Sequence, residues 1–201
     1  MAIVGIYLAA GKSRRMGLDK RSLLVGMKTL GSLAIETALQ SRLDCICIVT
    51  QEDDALSWLP DAVKREKKVV HLPCKLADEG LSASLKCGVT FAKSLHAEAI
   101  VILLADQPFI TVQMIDEMIA CHKEQNRSEF VAPYFKGVPR PPILIASSVF
   151  PALLKLNGDR GARDLLRSGF YKGVKLPCSD QRLFYDVDTK EDYHSLIQNN
   201  N

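Results

Sequence analysis

The stretch Ile3-Val4-Gly5-Ile6-Tyr7-Leu8-Ala9-Ala10-Gly11-Lys12-Ser13-Arg14-Arg15-Met16-Gly17-Leu18-Asp19-Lys20 is an apolar run that turns abruptly into glycine, small polar and basic residues. Such an opening predicts a buried strand, and the abrupt change marks its carboxyl end. In open α/β sheets ligands gather outside the carboxyl ends of the strands, where a glycine-cornered loop can aim bare backbone N–H groups at an anion. Leu8, Ala9, Ala10, Gly11, Lys12 and Ser13 therefore read as a phosphate-binding loop. Arg15 and Lys20 add positive charge, the first as a planar fork and the second as a point charge, and the loop becomes a triphosphate grip.

Spacing excludes two familiar phosphate loops. Gly11-Lys12-Ser13 imitates the end of a Walker A loop, but the earlier glycine it requires would fall at Ile6, inside the strand. A dinucleotide fingerprint starting at Gly11 would need glycines where Ser13 and Met16 stand.

At 201 residues the chain is long enough for one well-buried core and hardly for two, so a single domain over 1–198 is expected, with 199–201 a frayed tail. The net charge is only +3 with acids and bases interleaved, which leaves no stripe for nucleic acid and no polybasic membrane patch. No apolar run approaches a membrane span, and the amino terminus lacks the pattern of an export signal. Six cysteines without a C-x-x-C pair sit largely in apolar runs, the usage of a reduced, cytoplasmic protein.

Strand-like runs at 3–8, 45–50, 68–72, 100–104 and 130–133 alternate with helical spacing at 32–41, 82–94 and 111–123. The alternation predicts a single three-layer, Rossmann-like α/β domain around a mostly parallel twisted sheet. Ser32 and Thr111 are expected helix N-caps. Residues 136–142, with a glycine and three prolines, read as a lid or substrate loop, 154–167 as a helix broken at Asn157-Gly158, and 191–198 as a closing helix.

Leu103-Leu104-Ala105-Asp106-Gln107-Pro108 places a carboxylate directly after an apolar strand, a candidate ligand for Mg²⁺, which takes one or two carboxylates and completes its shell with phosphates. By itself Asp106 would equally open a turn. A second acidic group, Asp186-Val187-Asp188-Thr189-Lys190-Glu191-Asp192, sends Asp186 and Asp188 to one side of an extended segment. Here Asp188 could serve a metal or cap the following helix with Glu191 at the third position, and one oxygen cannot do both.

The opening segment resembles the signature Leu-Ala-Ala-Gly-x-Ser-x-Arg-Met-Gly, followed by Lys, of the nucleotidyltransferases related to molybdenum cofactor cytidylyl- and guanylyltransferases, the MobA-like NTP transferases. The resemblance runs from Leu8 to Asp192 and implies the nucleotide-diphospho-sugar transferase type of fold, with members that serve purine catabolism and xanthine dehydrogenase maturation. It implies catalytic roles for Arg15, Lys20 and Asp106, and Mg²⁺ on Asp106 and Asp188, with Asp186 the alternative to Asp188. Gly80-Leu81-Ser82-Ala83-Ser84 is similar to the element that precedes a helix in cytidylyl-type members, which makes Gly80, Ser82 and Ser84 candidates for the base; the other reading is a Ser-capped helix start. Asn157-Gly158-Asp159-Arg160-Gly161-Ala162-Arg163 resembles the family's acceptor-side Gly-Asp-x-Gly-Ala-Arg, with Asp159, Arg160 and Arg163 as acceptor-binding residues. Asp159 as an N-cap beside solvated arginines is the alternative there. Arg140 and Pro141 stand where the family has Gly-His or Gly-Asn, and Arg140 joins the acceptor candidates.

The reaction so implied transfers a nucleotidyl group, CMP from CTP, to molybdenum-molybdopterin with loss of pyrophosphate, and an apo-molybdoenzyme such as xanthine dehydrogenase is the implied receiver. Ala10 favours CTP, because guanylyl-transferring relatives usually carry Gly there and a Cβ beside the base narrows the space for a purine. A cytidylyltransferase for a sugar or polyol phosphate, and a carrier that shelters the cofactor without catalysis, are the competing readings.

Overall fold

The computed structural model describes residues 2–13, 15–125 and 128–198, so the expected frayed tail at 199–201 lies outside the described residues. In chain order the elements are β1 (Ile3–Leu8), β2 (Leu24–Val25), β3 (Lys28–Thr29), α1 (Leu30–Leu39), β4 (Cys45–Gln51), α2 (Asp61–Lys64), β5 (Val69–Cys74), α3 (Leu81–Ser94), β6 (Ala99–Leu104) and α4 (Val112–Glu124). They continue with β7 (Phe130–Phe135), β8 (Val138–Pro139), β9 (Ile143–Ala146), α5 (Phe150–Leu153), α6 (Ala162–Arg167), β10 (Gly173–Pro177) and α7 (Lys190–Gln198).

The main sheet has the order β10-β7-β9-β6-β1-β4-β5, with β8 appended to β7. β1 pairs in parallel with both β4 and β6, and all six of its residues are buried, which is why its sequence is continuously apolar rather than alternating. From β1 the chain winds outward through β4 and β5, then crosses to β6 on the opposite side. A topological switch point therefore falls between β1 and β6, where a crevice opens at the strands' carboxyl ends.

Residues of β1 alternate between two cores. Ile3 and Tyr7 join Ile35 of α1 and Ile115 and Met118 of α4, whereas Val4, Ile6 and Leu8 join Leu85 and Val89 of α3 with Phe150 and Leu166 of α5 and α6. Helices thus cover both faces of a mostly parallel sheet, and the three-layer expectation holds. Gly88 brings α3 down onto β1: a Cβ there would come within 2.5 Å of Ile6. No helix among the described residues is long and apolar enough to cross a membrane.

Several local expectations are corrected. Helix α1 starts at Leu30, so Ser32 is not its cap; the Ser32 hydroxyl donates to the Thr29 carbonyl instead. Thr111 does cap α4, accepting from the Met114 amide at 3.1 Å. Of the helix expected over 154–167 only 162–167 is helical, as α6; residues 154–161 are non-helical, with Gly158 at φ +64°, and the short α5 lies just before the expected span. The 136–142 segment is in part a hairpin rather than a free lid: Lys136 and Gly137, at φ +50° and +76°, join β7 to β8. Strands β9 and β10 were not anticipated; β9 runs antiparallel to both β6 and β7.

Candidate active site

Leu8 and Leu104 are paired in register at the ends of β1 and β6, so the glycine loop and Asp106 leave the sheet side by side. The amide of Val187 donates to the Asp106 carbonyl at 3.1 Å and ties the acidic segment before α7 to the same place. Three sequence-distant candidates are thereby gathered. Lys20 Nζ lies 2.7 Å from Asp106 Oδ2, 3.0 Å from Asp188 Oδ1 and 2.9 Å from the Val187 carbonyl. An ammonium has three donors, and each here has an acceptor. Burial works against the Lys20 charge, but Asp106 and Asp188 outweigh it and hold its pKa above the ordinary lysine value.

Arg15 reaches Asp188 Oδ2 at 3.5 Å, with both side chains largely exposed. Asp186 turns the other way and accepts from Gln107 Nε2 at 2.7 Å; burial first, and the neighbouring Asp106 next, raise its carboxyl above the usual range. Asp188 is free of the alternative capping role, because Thr189 and Asp192 cap α7 reciprocally: the Asp192 amide donates to Thr189 Oγ1 at 3.1 Å and the Thr189 amide to Asp192 Oδ2 at 2.8 Å. Asp106 Oδ1 is buried without a hydrogen-bond partner among the described residues. Among those residues, no group of three or more His, Cys, Asp or Glu side chains is placed to hold a metal ion.

Outside these strand ends opens a cavity of about 700 Å³. One wall is the loop itself, Leu8 to Ser13, with Lys20, Asp106 and Asp188 beside it and the exposed Arg15 at the rim. The opposite wall is the start of α3, where Gly80, Leu81 and Ser84 face Asp159. Gly80 adopts φ +113°, and a Cβ there would lie 2.7 Å from the Gly158 backbone and 2.8 Å from Asp159 Oδ1. The Ser82 amide donates to the Gly158 carbonyl at 3.0 Å and the Leu81 amide to Asp159 Oδ1 at 3.4 Å, so 157–159 covers the helix's amino end. Ser82 is itself buried and does not line the cavity.

Asp159 is not the N-cap of α6, which follows Gly161, whose amide donates to Asp164 Oδ2 at 2.9 Å. Arg160 and Arg163 are exposed and outside the cavity wall. Arg140 is also outside it, half-buried, its amide donating to the Pro133 carbonyl at 2.9 Å. Sequence reasoning missed Arg21, Gln51, Asp78 and Glu79, all of which line the cavity. Gln51 could have been found from its place at the carboxyl end of a parallel strand, and Asp78-Glu79 from their position just before Gly80; nothing in sequence marks the Val187 carbonyl as a partner of Lys20.

Comparison with known proteins places this geometry in a family. Residues 5–174 match the MobA-like NTP transferase domain. The Purine catabolism protein PucB of Bacillus subtilis is 40% identical over 199 residues, covering 95% of this chain and 94% of that protein. A probable molybdenum cofactor guanylyltransferase of Mycolicibacterium paratuberculosis is 26% identical over 98% of this chain and 96% of its own length. The crystal structure of the Rv0371c homolog from Mycobacterium sp. strain JC1 superposes with a TM-score of 0.81 at 26% identity, covering 98% of this chain and 96% of that one.

Proposed function

The chain belongs to the MobA-like NTP transferase family and is a nucleotidyltransferase, and from that premise we propose that it transfers CMP from CTP to molybdenum-bearing molybdopterin, releasing pyrophosphate. The observation that carries this reading is the convergence of Lys20, Asp106 and Asp188 beside the glycine loop, lining a cavity large enough for a nucleotide. The names of its relatives, a purine catabolism protein and a molybdenum cofactor guanylyltransferase, support the molybdenum cofactor as acceptor class.

In this reading the amides of the loop and the Lys20 ammonium hold the triphosphate, Arg15 adds charge at the rim, and the start of α3 borders the base at Gly80 and Ser84. The residues present fit a divalent cation, Mg²⁺: Asp106 Oδ1 lacks a partner, Asp188 offers a second hard oxygen, and two carboxylates suffice when phosphates complete the shell. When bound, that ion supplies neutralisation of charge on the α-phosphate and the leaving pyrophosphate. The chain's own contribution is to hold the acceptor phosphate in line with the α-phosphorus and to stabilise the charge that develops there. No side chain is needed as general base, because a phosphomonoester is already ionised near neutral pH.

CTP is preferred over GTP in this reading because Ala10 lines the cavity and its methyl narrows the base site. Asp159, which lines the cavity beside Gly80, and the exposed Arg160 and Arg163 of the same segment, with Arg140, are proposed to engage the acceptor. The product would pass to an apo-molybdoenzyme of the xanthine dehydrogenase type. Pyrophosphate release measured with each of four NTPs, with molybdenum cofactor or a panel of sugar and polyol phosphates as acceptor, tests the proposal. Release confined to CTP and the molybdenum cofactor is expected. Turnover on a sugar phosphate alone, or tight cofactor binding without pyrophosphate, would overturn it.

A further inference from the structure

The nucleotide loop is held by Arg21, a cavity-lining residue that no part of the reaction so far has used. The last ladder bond of the strand end runs from the Ala9 amide to the Val49 carbonyl at 2.9 Å. Beyond it two carbonyls are taken by side chains: Ala9 O accepts from Arg21 at 2.5 Å, and Ala10 O accepts from Gln51 Nε2 at 2.6 Å. In a planar trans peptide the C=O and the following N–H point in opposite directions. Fixing the Ala9 carbonyl therefore turns the Ala10 amide away from Arg21, and fixing the Ala10 carbonyl turns the Gly11 amide away from Gln51. Neither amide meets an acceptor among the described residues.

Arg21 is itself over-determined. Its Nε and Nη2 engage the two oxygens of Asp19 at 2.8 and 2.9 Å, its Nη1 also pairs with Asp54, and its guanidinium lies 5.2 Å from the ring centroid of Trp58. Its side chain is only 12% exposed and that of Asp54 6%. Asp54 also accepts from the Leu56 amide at 2.7 Å and from Trp58 Nε1 at 3.4 Å, so the carboxylate belongs to the scaffold and not to the loop. Gly31 leaves room for this stack, since a Cβ there would meet Trp58 at 2.6 Å and Arg21 at 2.8 Å. One guanidinium thus ties the start of the loop at Ala9 and its end at Asp19, next to Lys20, to a fixed buried platform. The planar fork grips both Asp19 oxygens through Nε and Nη2 while Nη1 reaches Ala9 O and Asp54, a spread of four acceptor atoms that the single nitrogen and three donors of a lysine ammonium cannot reproduce.

We propose that Arg21 is a positioning residue of the nucleotide loop: with Gln51 it holds the Ala9 and Ala10 carbonyls back so that the Ala10 and Gly11 amides are presented to the triphosphate before it arrives. Preorganised donors need no rearrangement when charge appears, so loss of the brace weakens phosphate binding without touching a group that contacts phosphate. The inference rests on the nucleotidyltransferase reading of the same loop.

The test uses the full chain with Mg²⁺ and inorganic tripolyphosphate, followed by calorimetry and by amide hydrogen exchange of the loop. Arg21→Lys is expected to weaken tripolyphosphate binding about tenfold or more, the scale of a charge-assisted hydrogen bond. Saturating tripolyphosphate should slow exchange at the Ala10 and Gly11 amides of the wild-type protein and slow it less in Arg21→Lys, while β6 keeps its wild-type protection, and added guanidinium should restore binding to Arg21→Ala. Gln51→Leu, at a less crowded position, should give the same pattern on a smaller scale and carries the test if the arginine variants do not fold. Variants that bind tripolyphosphate as wild type does, or that lose β6 protection together with the loop's, would overturn the positioning role. Wild-type protein that binds neither tripolyphosphate nor any NTP would instead overturn the nucleotidyltransferase reading, a separate outcome.

Discussion

Replacing Lys20 by Met keeps the side chain's length and deletes its charge, and it separates the ion pairs seen in the structure from the catalytic role proposed for the same ammonium. The ion pairs are structural. Lys20 bridges Asp106, whose side chain is 22% exposed, and Asp188, which is 48% exposed. The Asp188 arm is screened by water and contributes little. The Asp106 arm is a charge-assisted bond of about 1.5–3 kcal/mol, so the variant should lose about 2 kcal/mol of stability. For a domain of this size that is a fall in Tm of about 4–8 °C, readable by calorimetry. The proposed role is chemical. Removing one preorganised donor from developing transition-state charge costs about 2.7–4 kcal/mol, or roughly 10²- to 10³-fold in kcat. At 25 °C the variant is still folded, so steady-state pyrophosphate release should show kcat falling by that factor, with a smaller rise in KM for the nucleotide. A variant with wild-type kcat and only the lowered Tm would refute the reasoning and leave Lys20 as a counter-ion for two acids.

Asp106→Asn preserves shape and one acceptor but removes the charge beside Lys20; turnover in Mg²⁺ should drop by orders of magnitude with little change in the folded baseline, and near wild-type turnover would contradict the assignment. Gly80→Ala forces a Cβ against the Gly158 backbone at φ +113°, strain of about 1–3 kcal/mol. It should lower Tm and raise the nucleotide KM together; an unchanged KM would place the base elsewhere. Ala10→Gly should raise the GTP-to-CTP ratio of kcat/KM by up to about tenfold to a hundredfold, measured by competition, and an unchanged ratio would remove Ala10 from base selection. Burial holds His71, 2.8 Å from Thr50 Oγ1, below the ordinary imidazole pKa, so the folded state binds fewer protons than the unfolded one. Its contribution is therefore full above about pH 6.5 and is lost as pH falls through the lowered folded value, and His71→Gln should flatten the denaturation midpoint over that window.

Much of the fold was legible because burial on both faces leaves a local trace. β1, β4, β6 and β7 are largely buried apolar runs, and α3 and α4 repeat their apolar positions at helical spacing, so each announces itself within a dozen residues; the edge strand β5 is mostly half-buried or exposed and was marked only by its apolar and β-branched residues. The Gly11 loop and the acid after β6 were readable for the same reason: a phosphate cradle at a strand end needs particular residues in consecutive positions. The sequence by itself therefore determined the sheet class, the loop and the identity of Lys20, Asp106 and Asp188 as candidates. Strands β9 and β10 were not legible, since β9 is four residues whose direction depends on pairing with β6 and β7, and β10 alternates exposed and half-buried positions at the sheet's edge. Tertiary structure alone decided that Asp188 rather than Asp186 meets Lys20, that Thr189 and Asp192 cap α7, and that the Val187 carbonyl completes the lysine's shell. It also decided that Arg21 reaches back to Ala9 and across to Asp54. Hydrophobic periodicity is a property of neighbouring residues and survives in one dimension. A hydrogen bond between residues separated by 168 positions is a property of two surfaces brought together, and it exists only once the sheet has set the ends of β1 and β6 side by side.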